Sequence, residues 1–152
     1  MSSASARLAE LGLSLPPVVP PVAAYVPAVR SGSFVYTSGQ LPLVNGELPA
    51  SGKVGAEVSP EDAYQCARYC ALNALAAIDA LVGIDAIKRI VKVVGFVASD
   101  PSFTGQAQVV NGASELLGEI FGDAGRHARS AVGMAGLPGN APCEVEVIFE
   151  VE

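Results

Sequence analysis

Tryptophan is absent from this 152-residue chain, histidine occurs once, and the other aromatics are five Phe and four Tyr. The core must therefore be built from Val, Ala, Leu and Ile. A single histidine, His127, rules out a multi-histidine metal site. A mixed site with Cys66 and Cys70 would need a fourth ligand that the sequence does not offer, so no metal and no cofactor is expected. Three cysteines make no disulfide framework. Cys66 and Cys70 lie four apart in a helical stretch and Cys143 opens a strand, which suits buried free thiols in a reducing cytoplasm. Lysine and arginine form no cluster and the net charge is −6, which argues against phosphate neutralisation and hence against nucleic acid as a partner. No apolar run reaches membrane-spanning length, and the segment around Leu8-Ala9-Glu10-Leu11 is amphipathic rather than a signal-peptide block. A cytoplasmic protein without a membrane partner is expected. Neither a phosphate-cradling glycine loop nor a Gly-x-Ser-x-Gly elbow occurs, since Gly133, Gly136 and Gly139 do not sit between a strand and a helix.

What is present is apolar. Hydrophobic residues make up 51% of the chain and charged ones only 16%. The length fits one domain, residues 1–152, and the surplus of apolar surface suggests an oligomer. Residues 4–12 read as a short helix closed by Gly12. Pro16, Pro17, Pro20 and Pro21 then favour an extended arm, so residues 1–24 form a helix-plus-arm leader. Stretches 25–31 and 33–39 read as a hairpin turning at Ser31-Gly32-Ser33, and 40–58 as loop. Ser59, Pro60, Glu61 and Asp62 start a helix that runs to about Val82 before Gly83, with Ala63, Ala67, Cys70, Ala74, Ala77 and Leu81 on one face.

The run Ile90-Val91-Lys92-Val93-Val94-Gly95-Phe96-Val97-Ala98 predicts a central strand covered on both faces. Asp100-Pro101-Ser102 predicts a second helix over about 103–121, its buried stripe Phe103, Ala107, Val110, Leu117 and Phe121. Strands at 128–135 and 143–151 close the chain. In the last, Cys143, Val145, Val147, Phe149 and Val151 face one way and Glu144, Glu146, Ile148, Glu150 and Glu152 the other. The order ββαβαββ predicts an α+β domain, one sheet with helices on one face.

Chemistry concentrates in the last quarter. Arg129 sits in a strand, where its guanidinium must meet water, a carboxylate or an anionic ligand. Two uses stay open: pairing with Glu144 or Glu146 across a closing hairpin, or gripping a small carboxylate through two parallel hydrogen bonds. Glu144 and Glu146 stand roughly 7 Å apart by strand rise. Like charges at that range raise each other's pKa, which a general base can use; solvated edge acids are the plainer alternative. Asn111 reads as a mid-helix surface polar group.

Several separated segments resemble the Rid/YjgF family in order and spacing, over about residues 20–152. They are Tyr25-Val26, Thr37-Ser38-Gly39-Gln40-Leu41-Pro42, Asn111, Ala128-Arg129-Ser130-x-Val132, Leu137-Pro138 and Glu144-Val145-Glu146. The family also carries the names L-PSP endoribonuclease and translation inhibitor. The leader resembles the longer, YjgF/chorismate-mutase-like subgroup. The resemblance implies a chorismate-mutase-like fold, with two long helices on one face of a single mixed sheet, and a homotrimer with clefts between subunits. It implies hydrolysis of reactive enamine or imine acids to 2-keto acids and ammonia. By the same resemblance Arg129 grips the substrate carboxylate, Glu144 positions the attacking water, Tyr25 and Ser38 line the cleft, Asn111 stands near it, and the backbone of Ala131 contacts ligand. The chain departs from the family pattern at Ala23-Ala24, where Gly-Pro is usual, at His127, where proline is usual, and at Ala131, often cysteine. Alternatives from other classes are a carboxylate-binding trimer without turnover and an endoribonuclease; a chorismate mutase is an analogy of fold only.

Overall fold

A computed structural model describes residues 3–21 and 24–152, so Ala23 lies outside the described residues. Three α-helices and five strands follow in the order α1 (Ala4–Glu10), β1 (Ala28–Ser31), β2 (Phe34–Thr37), α2 (Pro60–Val82), β3 (Ile87–Ala98), α3 (Gln106–Phe121), β4 (Ala128–Met134) and β5 (Cys143–Val151). The expected α+β class holds. One mixed sheet runs β1-β2-β5-β3-β4, with β3 and β4 parallel and the other neighbours antiparallel.

The start of α2 follows from its sequence. The Ser59 side chain accepts the amide of Asp62, proline opens the first turn, and two acids meet the helix dipole. Its buried surface is broader than one stripe. Cys66, Ala71, Asn73, Leu75 and Ile78 are buried along with the expected small residues, whereas Leu81, at 46% exposure, is not. The breadth has a cause: α2 packs on β5 and on α3, and its Asn73 amide also donates to the carbonyls of Leu41 (3.0 Å) and Leu43 (3.1 Å). This buried amide ties the long loop before α2 to the helix.

Helix α3 starts later than expected. Asp100 accepts from the amide and hydroxyl of Ser102, closing a local turn instead of capping a helix. Phe103 and Ala107 drop out of the buried stripe, which is Val109, Val110, Gly112, Ala113, Leu116, Leu117 and Ile120. A Cβ at Gly112 would strike the backbone carbonyl of Tyr64, so the two helices cross in near-backbone contact.

Strict alternation in β5 is observed: Cys143, Val145, Val147, Phe149 and Val151 are buried under the helices. Two expectations fail. First, β3 is interior to the sheet but helices cover only one of its faces; Val94 and Phe96 on the other remain half-exposed. Second, β4 and β5 do not form a hairpin. Residues 135–142 pass a 3-10 turn at Pro138–Asn140 and carry β5 across β3, between β3 and β2. Thus β4 is an edge strand.

Candidate active site

The register of β3 decides which side each functional group faces. Val93 pairs with Arg129 on one side and Val147 on the other, so Arg129 shares the helix-covered face. Phe96 pairs with Glu144 and Val132, so Glu144 shares the open face. Pairing of Arg129 with Glu144 or Glu146 within one chain is thereby ruled out. Strand spacing and rise separate the Arg129 and Glu144 backbones by roughly 10 Å across the sheet and about as far again along it, on opposite faces.

Around Arg129 the cluster comes from β4 and α3. Nη1 donates to Asn111 Oδ1 (2.8 Å) and Ser114 Oγ (3.2 Å), and Nη2 reaches the carbonyl of Ala107 (3.4 Å). No carboxylate lies within ion-pair distance of it among the described residues. The Nε–H has no partner there, and Nη2 spends one of its two hydrogens on a long contact, so the Nε–Nη2 edge of the guanidinium keeps donors to offer. That edge matches the two oxygens of a carboxylate. Asn111 is not a bystander on the helix surface, because its amide oxygen aims the guanidinium. Ser114, one turn further along the same helix face, was missed; its i,i+3 spacing from Asn111 was the available signal. Ser114 Oγ also meets His127 Nε2 (2.8 Å), whose Nδ1 meets the Gly125 carbonyl (2.6 Å). Ala131 lies beside Gly95 on the same side as Arg129, on the edge strand.

A second cluster gathers around Glu144. Strand β2 ends where Thr37 Oγ1, rather than a backbone carbonyl, accepts the amide of Val147 (3.0 Å). The chain then rejoins β5 through paired hydrogen bonds between Gln40 and Val145. This detour brings Gly39 under Glu144: a Cβ at position 39 would land inside the Glu144 carboxylate. Glu144 is half-buried, and its carboxylate has no hydrogen-bond partner among the described residues. Burial, and secondarily the charge of Glu146, pushes its carboxyl above the ordinary glutamate range. The sequence pointed to the second cause; desolvation is the larger one. Ser38 is locked to the strand entry, its hydroxyl donating to the Val26 carbonyl and its amide to that of Pro27. Tyr25, 46% exposed, lines a small recess of about 80 Å³ with Pro20, Pro27, Gly39 and Leu41.

The six expected site residues therefore form two groups: Arg129, Asn111 and Ala131 on the helix side of the edge strand, and Glu144 on the open face over Gly39, with Ser38 next to that glycine and Tyr25 lining a recess with it. Among the described residues no group of three or more His, Cys, Asp or Glu side chains is placed to hold a metal. Both ring nitrogens of His127 are occupied, and Cys66 and Cys70 are buried in α2. No helix among the described residues is long and apolar enough to cross a membrane.

The sequence and this topology place the chain among known proteins. It belongs to the family described as "YjgF/chorismate mutase-like, putative endoribonuclease", which matches residues 5–151. Protein TCP17 of Trypanosoma cruzi is 42% identical over 149 residues, 97% of this chain and 93% of that protein. A crystal structure of a protein of unknown function from Agrobacterium tumefaciens superposes with a TM-score of 0.91 at 44% identity, covering 98% of this chain and 92% of that one. Escherichia coli TdcF, crystallised with bound serine, is 28% identical with a TM-score of 0.61, over 91% of this chain and 94% of its own.

Proposed function

We propose that the protein is an imine deaminase, hydrolysing reactive 2-imino acids and their enamine tautomers to 2-keto acids and ammonia. One observation carries this: among the described residues Arg129 is held by neutral partners with no counter-carboxylate, and its Nε–H has no partner, leaving donors for an acidic ligand. The bound serine of TdcF is consistent with a small carboxylate ligand in this family.

The substrate carboxylate docks on the Arg129 edge, and Glu144 takes a proton from water as the water oxygen attacks the imine carbon. Glu144 returns that proton to the imine nitrogen, giving the carbinolamine; it then takes the carbinolamine hydroxyl proton and passes it to the nitrogen as the C–N bond breaks and the keto group forms, so ammonia leaves. A carboxyl raised above its ordinary range is a better base than a solvated glutamate once ionised. Imines hydrolyse in water unaided, so orientation and one base can supply the acceleration required.

Because the two clusters face opposite sides of one sheet, the site is read as shared between copies. The edge strand β4 and α3 of one protomer supply the anchor, and the open sheet face of a neighbour supplies Glu144, Ser38 and Tyr25. Partly exposed apolar residues on that open face, Val29, Phe34, Tyr36, Val132 and Met134, support its burial in a homotrimer. A cytoplasmic location fits three free thiols.

The test supplies imine from an amino acid oxidase or a threonine dehydratase and follows keto-acid release or semicarbazide trapping. Acceleration above background, reduced roughly 10²- to 10⁴-fold in kcat/KM by Arg129→Ala through loss of two hydrogen bonds to a charged group, is expected. No acceleration with any imino acid would reject the proposal in favour of a carboxylate-binding trimer.

A further inference from the structure

With His127 neutral, the hydrogen bonds behind Arg129 have one consistent assignment of donors and acceptors. The Gly125 carbonyl can only accept, so His127 Nδ1 carries a proton toward it (2.6 Å). In the neutral ring Nε2 is then an acceptor, and the single proton of Ser114 goes to it (2.8 Å). Arg129 can only donate, so the Ser114 oxygen accepts from Nη1 (3.2 Å). The polarity of the chain is fixed from end to end: guanidinium to hydroxyl, hydroxyl to imidazole, imidazole to backbone.

We infer that Ser114 and His127 are positioning residues for Arg129, and that protonation of His127 loosens the grip on an anionic substrate. This rests on the reading of Arg129 as the carboxylate anchor. When Nε2 gains a proton it turns from acceptor to donor. The Ser114 hydroxyl hydrogen loses its partner, and its oxygen must accept from two cationic groups at once. The oxygen has lone pairs for both, but two positive charges then repel across one atom, which weakens the Arg129–Ser114 bond. More of the hold on the guanidinium then falls to Asn111 (2.8 Å). Other charged groups border the ring: Arg89 on β3, Arg126 before β4 and Glu150 on β5 share a cavity of about 540 Å³ with it, and Asp123 in the preceding 3-10 turn stands 3.7 Å from Arg126. All of them are retained in the variants below, and a proton on His127 acting directly would attract the anion, so a loss of affinity on acidification reports on the relay.

Two readouts test the relay, after circular dichroism has confirmed folding of each variant. The first is calorimetric binding of 2-oxobutyrate, a small 2-keto acid that stays ionised throughout the range, between pH 7.5 and 5.5. Expected is a three- to tenfold greater loss of affinity on acidification in the parent than in His127→Gln, which keeps an acceptor but does not titrate. Ser114→Ala is expected to bind roughly tenfold more weakly at pH 7.5, through loss of a hydrogen bond to a charged group, and Ser114→Thr to restore binding. The second readout needs no ligand: the Arg129 Nε–H resonance in the NMR spectrum should follow pH in the parent and not in His127→Gln. Equal pH dependence in parent and His127→Gln, with Ser114→Ala binding like the parent, would overturn the inference. Should the parent bind no 2-oxobutyrate, the anchor reading falls. The Arg129 resonance then decides the relay alone: upheld if it tracks residue 127, overturned if it is indifferent to it.

Discussion

Arg129 and Glu144 project from opposite faces of one five-stranded sheet, with β3 between their strands. Each is prepared in its own way. The arginine is oriented by two side chains of α3, and the glutamate is half-buried above a glycine that leaves room for it. Neither can complete the other inside one chain, so the proposed chemistry stands or falls with the association of copies.

The contact between Gly39 and Glu144 makes position 39 a probe of the base that spares the fold. Gly39 has no left-handed backbone to maintain, and the atom a Cβ would displace is the tip of a flexible side chain. Gly39→Ala should therefore change the melting temperature by no more than about 2 °C, in line with a ΔΔG within roughly 0.5 kcal/mol. Imine hydrolysis should fall to the level of Glu144→Gln. Parent-like turnover in a folded Gly39→Ala protein would show that the carboxylate position is immaterial.

Glu144 also links stability to pH. Its folded-state carboxyl lies above the ordinary glutamate value, so the folded chain favours the protonated form. That contribution is full below the unfolded-state value and is lost as pH rises through the raised folded one. Glu144→Gln should then match or exceed the parent's melting temperature at pH 7, and lose that relative advantage near pH 4. Because the group is half-exposed, solvent screening keeps the effect small, on the order of 1 °C or 2 °C. Thermal melts of both proteins at the two pH values check the sign, and a destabilised Gln variant at pH 7 would contradict it.

The three thiols should be silent in the native protein. Burial, then the nearby Cys143 and Asp62, pushes the Cys66 thiol up to about 12, and burial beside Cys143 raises that of Cys70 well above its ordinary range. Native protein at pH 8 is expected to leave an aromatic disulfide reagent unreacted over the time in which urea-unfolded protein releases three equivalents of thiolate. Rapid native labelling would mean that α2 opens readily from the sheet.

Gly112 marks the crossing of α2 and α3. Gly112→Ala gains helix propensity but drives a methyl group into the Tyr64 carbonyl, a rigid obstacle. The expected balance is a loss of roughly 1–3 kcal/mol from overpacking. Urea titration reads it; a neutral or stabilising result would mean that the helices separate at little cost. The same displacement would move Asn111, so weaker 2-oxobutyrate binding should accompany the loss.

Local signals in the sequence were faithful wherever the structure is decided locally. Ser59-Pro60-Glu61-Asp62 marks the start of α2 because cap, proline and acids act within one turn. The alternation from Cys143 to Val151 gives both faces of β5 because side chains in a strand alternate without regard to distant partners. Partner choice was not legible. The short link from β4 to β5 looked like a hairpin, yet β4 pairs in parallel with β3 through α3, and β5 inserts on the far side. The apolar run of β3 suggested cover on both faces, whereas one chain covers only one; sequence alone does not say whether a second layer comes from the same chain or another. Of the candidate site, the proposed residues were nameable from the family resemblance. Their division into two clusters was not, since it depends on the register of β4 against β3. Ser114 and the role of Gly39 emerged only from packing, as neither residue type is distinctive where it stands.

The most direct test of a cleft shared by two protomers is complementation. Arg129→Ala and Glu144→Gln proteins, each inactive alone, are unfolded together in equal amounts and refolded, and imine hydrolysis is measured against parent treated in the same way. A shared cleft predicts recovery of about a quarter of parental activity, the fraction of interfaces that random mixing furnishes with both an intact arginine and an intact glutamate. Activity that stays at the level of the separate variants, although the two proteins have demonstrably mixed, would contradict the account.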